Sequence, residues 1–151
     1  MQSKTTIPLL TTGGLVLLIA AWFGFKTLQH RNLLNNGHQF ALTASENILA
    51  SWNSDFFRQI SSEELISSFD SNGIELMFAN FRRVGRLESL APGRDELLNA
   101  TWGPSEENLI ARFYLDGEFS TGTSPVFVEL VLMNNNWQLQ NFYIEAPVLM
   151  E

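Results

Sequence analysis

The sequence contains no cysteine. That excludes disulfides, thiolate metal sites and a cysteine nucleophile, and it leaves the compartment open. Histidine is nearly as scarce. His30 and His38 lie eight positions apart with no carboxylate close by, a poor set for metal ligation, so both are expected to be solvated and no cofactor is expected. Lysine stops at Lys26, and acids do not begin until Glu46. Residues 1–37 therefore carry Lys4, Lys26 and Arg31 with no acid, while residues 38–151 carry all 16 acids against six arginines, a net −10. A domain this acidic repels phosphate backbones, so nucleic acid is not an expected partner. The one basic cluster, Arg82-Arg83-Arg86, reads first as a solvated helix end, where cations suit the helix dipole. Disorder is not expected, because 45% of the chain is hydrophobic and 12% aromatic, enough apolar surface for a packed domain.

What is present is a long apolar run. Ile7 to Phe25 reads IPLLTTGGLVLLIAAWFGF, 19 residues without a charge between Lys4 and Lys26. At a rise of about 1.5 Å per residue such a helix spans roughly 28 Å, close to the hydrocarbon thickness of a bilayer. Trp22 and Phe23 lie near one end, where interfacial aromatics are common, and Pro8 falls in the first turn, where its missing N–H costs little. The expected organisation is a short tail over 1–6, a transmembrane helix over 7–25, a juxtamembrane linker over 26–37 and a soluble domain over 38–151. Two other readings compete: a cleaved signal peptide, though no small-x-small site follows the run, and a buried core helix, though little else could wrap it. Flanking positive charge is balanced across the span. A signal-anchor with the bulk of the chain exported is the expected topology, single-pass in a cell inner membrane with the domain on the periplasmic side.

Asn35-Asn36-Gly37 reads as a break before the domain. A helix is expected from His38 to Asn53, with Phe40, Ala41, Ala44, Ile48, Leu49 and Trp52 forming one apolar stripe. Asp55-Phe56-Phe57 continues it or turns. Ser61-x-x-Glu64 is a capping-box pattern before Leu65, Ile66 and Phe69, and predicts a short second helix. Asp70 to Gly73 is a turn, and a third helix follows over about 74–84. Beyond Gly85 the period changes to two. Arg86 to Leu90 reads as a strand and Ala91-Pro92-Gly93 as a turn, while residues 94–105 are open between helix and strand. From Leu109 the alternation is clear, with Leu109, Ala111, Phe113, Leu115 and Phe119 on one face. Val126 to Met133 is apolar on both faces except at Glu129 and is expected to be central. Glu129 is expected on the outer face; if inward, Arg112 is its natural partner. Asn134 to Asn136 forms a hairpin connection, and Trp137 to Glu145 is a last strand whose phase slips as a β-bulge at Gln140-Asn141 would require. The apolar tail from Ala146 to Met150 is expected to cap the core.

Three helices followed by about four antiparallel strands imply an α+β domain, with helices packed on one face of a curved sheet. In this order the helix ending Phe81-Arg82-Arg83-Val84-Gly85 runs into Arg86-Leu87-Glu88-Ser89-Leu90, and the chain closes on Trp137-Gln138-Leu139-Gln140-Asn141-Phe142-Tyr143-Ile144. Over residues 38–147 this resembles the NTF2-like (cystatin-like α+β cone) superfamily, in its membrane-anchored exported form. The resemblance implies a cone with Trp52, Phe56, Phe78, Phe81, Phe113, Trp137 and Phe142 as lining, either a plain core or an apolar ligand pocket. It does not fix function. Enzymatic members place an Asp/His or Asp/Tyr set inside the cone; no such set stands out here, and no catalytic residue is assigned. The expected function is a non-enzymatic, membrane-anchored binding or assembly domain acting through protein–protein contacts of the sheet, with a homodimer or other membrane or envelope proteins as partners. The alternatives are a small apolar ligand binder or enzyme using the cone, and a component of a bacterial secretion or envelope complex.

Overall fold

The computed structural model describes the backbone of residues 10–96 and 109–146 and the side chains of residues 31–93 and 109–146. Internal contacts divide the chain into two units, 1–35 and 36–151. The tail over 1–6, the apolar character of the 7–25 span, the open segment over 97–105 and the tail beyond Ala146 lie outside the described residues. Among the described residues, no helix is long and apolar enough to cross a membrane.

The described fold is α+β: helices first, then a four-stranded antiparallel sheet in the order β1-β2-β3-β4. Helix α1 runs over Leu10–Ser51. The expected break at Asn35-Asn36-Gly37 is helical instead, and the reason is packing. A Cβ on Gly37 would lie 3.1 Å from the Trp137 ring and 3.4 Å from Phe113. The glycine makes room for two sheet residues and does not end a helix. Ala41, Ala44, Ser45, Ile48 and Leu49 form the buried stripe of α1, the spacing that 3.6 residues per turn puts on one face.

Trp52 stops α1. Its φ of +49° is a left-handed conformation that a bulky residue rarely adopts. The Asn53 side-chain oxygen then accepts from the backbone N–H groups of Asp55 and Phe56 at 2.9 and 3.0 Å, capping the short helix α2 over Ser54–Ile60. Asp55-Phe56-Phe57 is thus neither turn nor continuation but a separate helix, which drives Phe57 into the core edge-on to Phe78. Helix α3 spans Glu63–Ser67 and is capped by Ser62, one residue later than the capping-box spacing implied. Ser61 is occupied elsewhere: its hydroxyl donates to the Phe57 carbonyl at 2.6 Å, and its backbone bridges Leu139. Helix α4 spans Gly73–Phe81, with Ile74, Phe78 and Phe81 buried, and tightens into a 3-10 turn over Arg82–Val84. The described residues therefore carry four α-helices where three were expected in the domain.

Strand β1 covers Leu87–Glu96, β2 Leu109–Phe119, β3 Gly122–Met133 and β4 Asn136–Ile144. The expected turn at Ala91-Pro92-Gly93 is absorbed into β1. The register shifts between Pro92 and Asp95, so a bulge takes up the irregularity, and Gly93 sits where a Cβ would meet the Tyr114 carbonyl oxygen at 2.5 Å. Proline is tolerated because β1 is an edge strand. The centre of the sheet is β2 and β3, as the two-sided apolarity of 126–133 implied. Asn134 and Asn135, with φ of +49° and +63°, join β3 to β4 in the two-residue geometry that favours asparagine. The bulge in β4 falls at Gln140: Leu139 pairs with Leu130 and Asn141 with Glu129, leaving Gln140 extra. It restores the phase, so Leu139, Phe142 and Ile144 all reach the core.

That core is one cluster. It joins Ala41, Ile48, Phe57, Ile74 and Phe78 of the helices to one face of the sheet, including Phe113, Leu115, Val128, Leu130, Leu139 and Phe142. Apolar side chains on the opposite sheet face, Ile110, Tyr114, Phe127 and Val131, stand outside it.

Candidate functional site

The seven residues expected to line a cone pocket divide by environment. Phe78, Phe81, Phe113 and Phe142 are buried members of the core cluster. Phe56, Trp137 and Trp52 pack against it while half-buried. Phe78 is contacted edge-on by both Trp52 and Phe57, and Phe81 by Phe142, with ring centroids 5.4–6.1 Å apart. Aromatic contacts of this geometry bind core residues to one another. His38, expected to be solvated, is instead half-buried and stacks on Phe113 at 5.5 Å. Ser45 places a fully buried hydroxyl with no hydrogen-bond partner on the inner stripe of α1.

Several acids of the domain have structural partners. Glu129 pairs across the sheet with Arg112, on the face away from the core, as expected. Glu118 accepts from the Ser89 hydroxyl at 2.7 Å, Glu64 accepts from the Gln140 amide at 2.9 Å, and Asp70 accepts from the Asn72 N–H at 3.1 Å. Among the described residues, no group of three or more His, Asp or Glu side chains could hold a metal ion.

Two surfaces remain. The first is the outer face of the sheet. At its centre the Tyr114 and Phe127 rings meet across β2 and β3 at 5.2 Å, beside the Arg112–Glu129 pair. Met133 is an exposed large hydrophobic side chain on that face, while Tyr143 of β4, also exposed, leans edge-on against Phe81 of α4 with ring centroids 6.2 Å apart. The face is thus aromatic around a neutralised charge pair at its centre, with the exposed carboxylates of Asp116 and Glu118 toward the β2–β3 connection.

The second is a groove of about 520 Å³ beside the end of α1. Leu49, Ala50 and Trp52 form one side, and Arg82, Gly85, Arg86 and Leu87 the other. The chain holds the basic side in place through the hairpin connection between β2 and β3. The Arg86 N–H donates to the Ser120 hydroxyl at 3.0 Å, the Ser120 N–H donates to the Arg86 carbonyl at 2.9 Å, and the Thr121 hydroxyl donates to the Val84 carbonyl. Gly85 has φ +88° and ψ −166°, and a Cβ there would collide with the Ser120 hydroxyl. Only glycine suits both demands. The basic cluster that read as a plain helix end is therefore anchored. The signal for it was Gly85 between Arg82-Arg83 and Arg86, a glycine that a simple helix terminus explained equally well.

No protein-family model, curated protein or solved structure matches the chain.

Proposed function

We propose that the chain is a non-enzymatic, membrane-tethered binding domain that associates through the outer face of its sheet, and that the first partner of that face is a second copy of the chain. The observation that carries this reading is the centre of the outer face: Tyr114, Phe127 and Met133 lie outside the core cluster, around an Arg112–Glu129 pair already neutralised. Aromatic and methionine side chains are the residues that protein interfaces concentrate, while unpaired charge is what they avoid. The apolar, uncharged run over 7–25 supports the tether, and the charge asymmetry along the chain supports a domain held outside the inner membrane. The order of helices followed by a meander supports a place among NTF2-like domains.

The test is photocrosslinking of the full chain in its native membrane, with benzoylphenylalanine at Phe127 or Met133 and, as a control, at Glu75 on α4. The expected result is a dimer-sized adduct from the two sheet positions and none from Glu75. Absence of any adduct from the sheet positions overturns the proposed surface. Release of the chain by alkaline extraction of membranes overturns the tether separately.

A further inference from the structure

The groove beside Trp52 lies away from the sheet face that carries the proposed function, and its chemistry runs against that of its surroundings. Residues 38–151 carry a net −10, yet three of their six arginines fall within five positions here. Arg83 is engaged locally, donating to the Asn80 side chain at 3.2 Å, and Arg86 lies 3.9 Å from Glu88 in an exposed, loose pair. Arg82 lines the groove, and among the described residues no hydrogen bond or ion pair holds its guanidinium. In a domain with such an excess of acid, a cation left without one is a binding resource.

Opposite the arginines stands Trp52. Its left-handed backbone costs on the order of 1–3 kcal/mol, and strain of this kind persists where the surrounding structure fixes a side chain in place. The ring meets Phe78 edge-on, with centroids 5.6 Å apart, and Trp52 is also part of the groove lining. Leu49 and Leu87 extend the apolar wall. The volume falls in the range of small-molecule sites. An apolar lining with an indole, shared with Arg82 and the loosely paired Arg86, matches a ligand with a planar apolar body and one negative charge: the body would pack on the indole, and the acid would take the charge-assisted bonds.

We infer that this groove, framed by Trp52, Arg82 and Arg86, binds a small aromatic carboxylate. The site is preorganised. Gly85 and the Ser120-Thr121 turn hold the arginine-bearing segment before any ligand arrives, so little ordering has to be done on binding.

The experiment uses the full chain in nanodiscs of neutral phosphatidylcholine, titrated by calorimetry with 1-naphthoate and with its uncharged counterpart 1-naphthamide. Naphthoate should bind at least about tenfold more tightly than the amide, the difference expected of a charge-assisted contact. The preference should fall as salt is raised. The Arg82→Gln/Arg86→Gln double variant, made at exposed positions that leave the core untouched, should lose the preference while keeping the far-UV circular dichroism of the parent. Arg58→Gln, on α2, should keep it. Equal affinity for acid and amide, no heat up to about 10 mM naphthoate, or an equal loss in the Arg58→Gln control would each overturn the assignment.

Discussion

The Ser62 hydroxyl donates to the side-chain carbonyl of Gln140 at 2.6 Å, 78 positions away, while accepting from the Leu65 N–H at 3.1 Å. One hydroxyl thus caps α3 and grips the residue that the β4 bulge pushes out of register. The same Gln140 donates to Glu64 at 2.9 Å. A five-residue helix has little stability of its own, and this clasp fixes it to the sheet.

Ser62→Ala should therefore lower the unfolding free energy by about 1–2 kcal/mol, the usual cost of a lost cap at a buried site. Gln140→Ala should cost about 1 kcal/mol, and the double variant should cost less than the two together, because both remove the same contact. Urea denaturation of the four chains measures the coupling. Strict additivity would show that the clasp carries no energy.

Gly37 gives a second test. Its place against Trp137 and Phe113 leaves no room for a large side chain. Gly37→Leu should destabilise the domain by roughly 1–3 kcal/mol through overpacking, in spite of leucine's better helix propensity. Were this position an exposed linker, the same change would be neutral or stabilising. The sign of the shift in urea midpoint decides.

At Gly85 backbone and space agree. Gly85→Ala should cost roughly 1–3 kcal/mol for the backbone conformation alone, with a further loss as the Ser120 hydroxyl is displaced from the Arg86 N–H. Ser120→Ala in the Gly85→Ala background should recover part of the loss. Thermal melts of the parent and the two variants provide the reading, and no recovery would mean that the clash is not with Ser120.

The Arg112–Glu129 pair predicts a different pattern. Side chains of the pair are 37% and 14% exposed, so solvent screens the attraction only in part. Glu129→Leu alone should destabilise by about 1–2 kcal/mol, since it removes the carboxylate that Arg112 meets on a half-buried part of the sheet. Arg112→Met/Glu129→Leu should recover part of the loss, and should strengthen any self-association through that face by removing the charge pair at its centre. Sedimentation and urea melts on the same samples separate the two effects.

Periodicity made much of this fold legible. The alternation from Leu109 to Phe119, the two-sided apolarity of 126–133 and the phase slip at Gln140 each mark a feature the structure contains, because a strand's period of two leaves an unambiguous trace. Local punctuation misled where tertiary contacts overrode it. Asn-Asn-Gly has the composition of a loop, but Gly37 answers to Trp137, a residue 100 positions away in sequence. Pro92-Gly93 has the composition of a turn, but an edge strand with a bulge accepts both residues. The groove was hardest to see. Trp52 was picked out for its aromatic ring and Arg82 to Arg86 for their charge, and no spacing rule joins residues 30 apart across a helix end and a strand start.

The two borders of the sheet have a consequence of their own. On one side β1 carries Pro92 and two register shifts; on the other, β4 is met by the Ser61 bridge and by the Ser62 N–H, which donates to Leu139 at 2.8 Å. Neither border offers a clean row of backbone groups to a foreign strand. Copies crowded together are thereby discouraged from zipping into a continuous ribbon through these borders, so crowding favours a closed, broadside pair over a fibre.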